Sequence, residues 1–182
     1  MRGRIVVAGL AGLLVSGCAA EAEPVAVPPP VPIAVDVAAA SSGGACRLLD
    51  FTVIEQLAKV RFDVAASSEQ GDTHTCVVRA GGAPLPELTL SVTETTIDKA
   101  TFAADVMPDK AAKVTGLGQQ AYKRTTAAAS GRGPVAEVGW LANDGRLATL
   151  SWTGARGSER TVAEKLTGDL AALAKKVNTR AL

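Results

Sequence analysis

Residues 135–153 read VAEVGWLANDGRLATLSWT, and the pairing inside this stretch decides which way two tryptophans face. A two-residue turn at Asp144-Gly145 would set Leu141 opposite Ala148 and Trp140 opposite Thr149, sending the two indoles to opposite faces of a hairpin. A three-residue loop, Asn143-Asp144-Gly145, instead pairs Trp140 with Ala148 and Val138 with Leu150. That register gathers Ala136, Val138, Trp140, Ala148, Leu150 and Trp152 on one face and leaves Glu137, Gly139, Thr149 and Ser151 on the other. Register follows the apolar pattern wherever one face of a sheet is buried, and a type I turn with a left-handed glycine is the usual three-residue connection. The sequence therefore predicts a hairpin with both indoles under a helix rather than on a sugar-stacking platform.

The same alternation recurs on either side. ELTLSVTET at 87–95 sets Leu88, Leu90 and Val92 against Thr89, Ser91 and Thr93, and HTCVVRA at 74–80 reads as a strand joined to it through Gly81-Gly82 and Pro84. QQAYKRTTA at 119–127 supplies another. Helical spacing appears in three places. Asp50 or Thr52 can cap a helix through Ile54, Leu57 and Ala58 to about residue 60; Ile97 to Met107 follows Thr95-Thr96 and stops at Pro108; and Ser158 to about Asn178 puts Val162, Leu166, Leu170, Leu173 and Val177 on one face. Helix, strands, helix, strands, helix in that order predicts an α+β fold, a mainly antiparallel sheet of five to six strands flanked by two to three helices.

The chain has 182 residues, room for one ordinary domain plus unstructured material. It is 47% hydrophobic but only 3% aromatic, so Ala, Val and Leu must build the core. Formal charge is +1, and loss of Arg2 and Arg4 with a leader would bring it to about −1, so nucleic acid is not an expected partner.

Arg2 and Arg4 precede an apolar run from Ile5 to Val15, then Ser16 and Gly17. A basic start, a short apolar stretch and small residues form the pattern of a secretory signal, and eleven apolar residues fall short of the ~20 that span a bilayer as a helix. The run ends on Cys18, and Val15-Ser16-Gly17-Cys18 resembles the lipobox of bacterial lipoproteins. That resemblance implies cleavage after residue 17 and a diacylglyceryl group on Cys18, enough apolar chain for stable anchoring. Residues 18–44 follow as a tether in which Pro24, Pro28, Pro29, Pro30 and Pro32 favour extended backbone before a Ser/Gly end, leaving 45–182 as the folded domain. The expected location is the outer face of the cytoplasmic membrane or the cell envelope, with the membrane itself a partner through the anchor.

With Cys18 lipidated, Cys46 and Cys76 remain as an even pair on the exported side, where a disulfide is the default. The rival is a metal site, because His74 and Cys76 alternate on a strand and Cys46 adds a third ligand. No fourth ligand and no CxxC spacing support it, so no metal is expected and His74 reads as a surface residue.

From Cys46 to Leu182 the order CRLLDFTVIEQLA, HTCVV, TLSV, VTGLGQQAY and a C-terminal helix resembles uncharacterised actinobacterial lipoproteins with a paired-cysteine domain. The resemblance implies a Mog/PsbP-like sandwich and carries no catalytic residues to transfer. Val77 stands where that group usually has tryptophan.

Two further patterns suggest chemistry. Gly116-Leu117-Gly118-Gln119-Gln120-Ala121 matches GxGxxA, with Glu137 about twenty residues on, but the dinucleotide fingerprint requires a strand before it and a helix after it, and QAYKRTT is itself strand-like. It reads as a turn. Asp50, Glu55, Asp63, Glu94, Asp98 and Asp105 offer carboxylates without a diagnostic spacing, and no GxSxG surrounds any serine. The expectation is a non-catalytic binding or accessory module without cofactor, acting on an envelope protein or polymer. The alternative is a carrier holding an apolar molecule between sheet and helix; an enzyme ranks third.

Overall fold

The computed structural model describes residues 43–182; the expected signal segment, Cys18 and nearly all of the tether lie outside the described residues. Helices α1 (Phe51–Ala58) and α3 (Arg160–Ala174) pack with a seven-stranded antiparallel sheet formed by β1 (Val64–Gln70), β2 (Thr73–Arg79), β3 (Glu87–Glu94), β4 (Ala112–Lys113), β5 (Gln120–Thr126), β6 (Val135–Leu141) and β7 (Arg146–Thr153). The order across the sheet is β1-β2-β3-β7-β6-β5-β4. The α+β class is the expected one, with a strand count above the five to six anticipated. The additional strands are β1 and β4. β1 reads VAASSEQ, and all but one of its residues are exposed, so it carries no apolar alternation; it is held through backbone pairing of Gln70 with Thr73 around Gly71-Asp72. β4 is two residues long and pairs only with Lys123 and Tyr122.

The central hairpin has the register derived above. Val138 pairs with Leu150, Trp140 with Ala148 and Ala136 with Trp152, and Gly145 closes the loop at φ +79°. Each indole faces an alanine across the ladder, which lets a large and a small side chain share one layer of the core at interior density. Trp140 and Trp152 are 2% and 3% exposed, in one cluster with Ala163, Leu166, Leu170 and Leu173 of α3. Among the described residues the Trp152 Nε1–H has no hydrogen-bond partner, and the core uses that side chain for its bulk.

α1 starts where Asp50 caps it: the Thr52 and Val53 amides donate to Asp50 Oδ1 at 2.8 and 3.3 Å. It ends at Lys59, left-handed at φ 55°. α3 is shorter than its periodicity suggested, stopping at Ala174, and its buried stripe is rotated. Ala163, Leu166, Leu170, Leu173 and Ala174 face the sheet, whereas Val162, expected on that face, is 44% exposed. Alanine at 163 lets the helix approach the tryptophan layer, which turns Val162 outward. The helix expected over 97–107 is a different object, three α-helical residues, α2 (Lys99–Thr101), running into one wider turn over Phe102–Val106. Asp98 caps it, accepting from the Thr101 amide at 2.8 Å. Phe102 is buried there with Tyr122 and Leu141 in a small second cluster on the sheet face opposite α3.

Candidate functional site

Cys46 and Cys76 are joined, their Cα atoms 4.9 Å apart, and both are fully buried. Cys46 sits in a 3-10 turn, Gly44–Leu48, just ahead of α1, so the bond ties the entry to the domain onto β2. Among the described residues no group of three or more His, Cys, Asp or Glu is placed to hold a metal ion. His74, read as a surface residue, has a side chain 25% exposed and its Nδ1 3.5 Å from Glu69 on β1. Its partial cover comes from β1, whose Glu69 pairs with it across the ladder.

The carboxylates disperse. Asp50 and Asp98 cap helices, Glu94 accepts from Arg146 at 3.0 Å, and Glu55 and Asp105 are exposed. Hydrogen bonds from Thr101 hold the Asp98 carboxyl below its usual range. The glycine-rich 116–121 stretch joins β4 to β5, with no helix after it. Gly116 and Gly118 take φ +71° and +56°, and the Gln119 amide donates to Leu141 O at 2.7 Å while its side chain donates to Ala142 O at 3.1 Å. Glu137 belongs to another set of contacts altogether. Tyr122 Oη donates to Glu137 Oε1 at 2.8 Å, and Arg124 Nε and Nη2 donate to its two oxygens at 2.8 and 3.1 Å. Burial, then the Glu137 charge, push the Tyr122 phenol well above its usual range. Gly139 opposite makes this possible, since a Cβ there would fall 2.5 Å from the tyrosine ring. The triad did not emerge from the sequence because it needs the β5–β6 register, and the local trace was a glycine inside a strand, two residues after Glu137.

The same sheet face carries the more extensive feature. Away from the Phe102 cluster it presents rows of hydroxyls: Thr73 and Thr75 on β2, Thr89 and Ser91 on β3, Thr149 and Ser151 on β7, each half-buried. Some are joined across strands, Thr75 Oγ1 to Ser91 Oγ at 3.3 Å for example. Intramolecular ion pairs bound the face, Arg79 with Glu87 towards one side and Arg124 with Glu137 towards the other. Its centre is uncharged and able to both donate and accept hydrogen bonds. On the opposite face the apolar space between α1 and α3, lined by Ile54, Leu57, Leu88 and Leu170 among others, amounts to about 10 Å³, too little for anything larger than one water. Among the described residues no helix is long and apolar enough to cross a membrane.

No family model, no curated protein and no solved structure matches this chain.

Proposed function

We propose that this chain is a lipid-anchored envelope protein, held through Cys18 on the outer side of the membrane, whose domain is a non-catalytic module binding a neutral, hydroxyl- or amide-rich envelope polymer or protein surface. The observation that carries the binding reading is the uncharged hydroxyl face on β2, β3 and β7, whose centre offers hydrogen bonds rather than charge or aromatic stacking. Anchoring rests on the leader and Val15-Ser16-Gly17-Cys18, and the buried Cys46–Cys76 bond accords with an oxidising location. The carrier reading has less support, because the sheet-to-helix space described above is filled by side chains. Cosedimentation of the anchored protein with purified cell-wall polymer and capture of envelope proteins both test the proposal. Wild type should be retained by one of these, and Thr89→Glu/Ser151→Glu, which places two charges at the centre of the face, should release it without altering the circular dichroism. Retention undiminished by those charges overturns the surface assignment. Cys18→Ser should move the protein out of the membrane fraction, and wild-type protein lacking acyl mass at residue 18 overturns the anchor.

A further inference from the structure

The glycine-rich turn takes no part in the hydroxyl face and lines a cleft of about 360 Å³ at the end of the sheet, together with Trp140, Asn143, Lys175 and Arg180. That volume lies in the range of small-molecule sites, roughly 300–1,000 Å³. Leu117 is buried in the main core and so pins the turn, while Gly116 and Gly118 on either side of it are exposed. Gly116 and Gly118 both take positive φ on either side of Leu117, and turns that use left-handed residues are where successive amides can form an anion-binding concavity. Among the described residues the amides of Gly116, Leu117 and Gly118 have no hydrogen-bond partner.

Two cations complete the cleft. Lys175, one residue past the end of α3, places its Nζ 3.7 Å from where a Cβ on Gly116 would stand. Arg180 lies in the closing 3-10 turn, Thr179–Ala181. Neither side chain has an ion pair or hydrogen bond among the described residues. The one carboxylate lining the cleft is already engaged: Thr179 Oγ1 donates to Asp144 at 2.9 and 3.1 Å, and Arg146 stands 3.6 Å from it while also donating to the Thr179 carbonyl. Those contacts staple the C-terminal turn to the β6–β7 loop, so the walls of the cleft are held by bonds that do not consume the two cations.

We infer that the cleft between the 116–118 turn and the C-terminal turn binds a small ligand through a phosphate group, with Lys175 and Arg180 matching its two negative charges and the turn amides donating hydrogen bonds to its oxygens. A dianion fits better than a carboxylate because two cations that have no ion pair among the described residues line the same cleft. The assignment is independent of the hydroxyl face, which lies elsewhere on the sheet.

The test is a titration of the ¹⁵N-labelled full-length chain in detergent micelles with inorganic phosphate at constant ionic strength, with acetate in parallel. Saturable shifts at the Gly116, Leu117 and Gly118 amides are expected with phosphate, at least tenfold weaker with acetate. Lys175→Gln/Arg180→Gln, changing two exposed side chains, should weaken the phosphate effect at least tenfold and leave the rest of the spectrum in place; Lys165→Gln, an exposed lysine outside the cleft, should not weaken it. The absence of saturable shifts at the turn, shifts that survive the double substitution, or equal response to acetate each overturns the inference.

Discussion

Gly139→Ala is the sharpest test of how the second cluster is built. The added Cβ would lie 2.5 Å from Cε1 and Cζ of Tyr122 and 2.7 Å from its hydroxyl, so the ring must leave its place over Gly139. Four contributions change when it does. The hydrogen bond to Glu137 at 2.8 Å is lost, worth ~1.5 kcal/mol for a bond to a charged acceptor at the low end of its range. The tilted contact with Phe102, centroids 6.1 Å apart, contributes ~0.5–1.5 kcal/mol beyond area burial. Against these, replacing a strand glycine by alanine recovers ~0.5–1 kcal/mol of chain entropy. With some re-exposure of a ring that is now 5% exposed, the substitution should cost about 2 kcal/mol by urea unfolding, read from the midpoint at constant slope. The same change in a Tyr122→Ala background meets no ring and should be neutral or stabilising by up to ~1 kcal/mol. A Gly139→Ala variant as stable as wild type, or equally costly with and without the ring, refutes the account.

Tyr122 is the sole tyrosine, so its ionisation can be followed at 295 nm. Its phenol is raised in the folded state, so the stability it contributes is complete below the ordinary tyrosine value of about 10 and declines as pH rises from there toward the folded value; tyrosinate should appear only with unfolding. Cys46→Ala/Cys76→Ala opens a link across a separation of 30 residues and should cost about 3.6 kcal/mol on the chain-entropy model, measured by urea unfolding without reductant. Gly118→Ala would set a Cβ 2.3 Å from Leu141 O, whereas at Gly116 the nearest atom is the end of a lysine at 3.7 Å; Gly118→Ala should therefore lower the melting temperature clearly more than Gly116→Ala, which bears only the left-handed cost of ~1–2 kcal/mol. Iodide should quench tryptophan fluorescence far less than in a model peptide, since both indoles are buried.

The hairpin register, the faces of its tryptophans, the cap at Asp50 and the antiparallel α+β class were legible in the sequence, because each follows from a short-range rule: alternation on a half-buried strand, a left-handed glycine in a three-residue loop, a capping side chain before a helix; the cap at Asp98, inside the stretch expected to be helical, was not. The cysteine pairing followed from parity and compartment. Features that depend on residues distant in the chain were not legible. β1 is a strand because β2 offers it a backbone ladder, and VAASSEQ carries no sign of that. Val162 faces solvent because Ala163 fits closer to the tryptophan layer, a choice of helix rotation made by the sheet beneath it. The wide turn after α2 and the Tyr122–Glu137–Arg124 contacts depend on β5 lying beside β6, and the phosphate cleft on a C-terminal turn stapled to Asp144, 35 residues back. Local propensity cannot encode such juxtapositions, because their free energy comes from surfaces that meet only when the whole sheet is assembled.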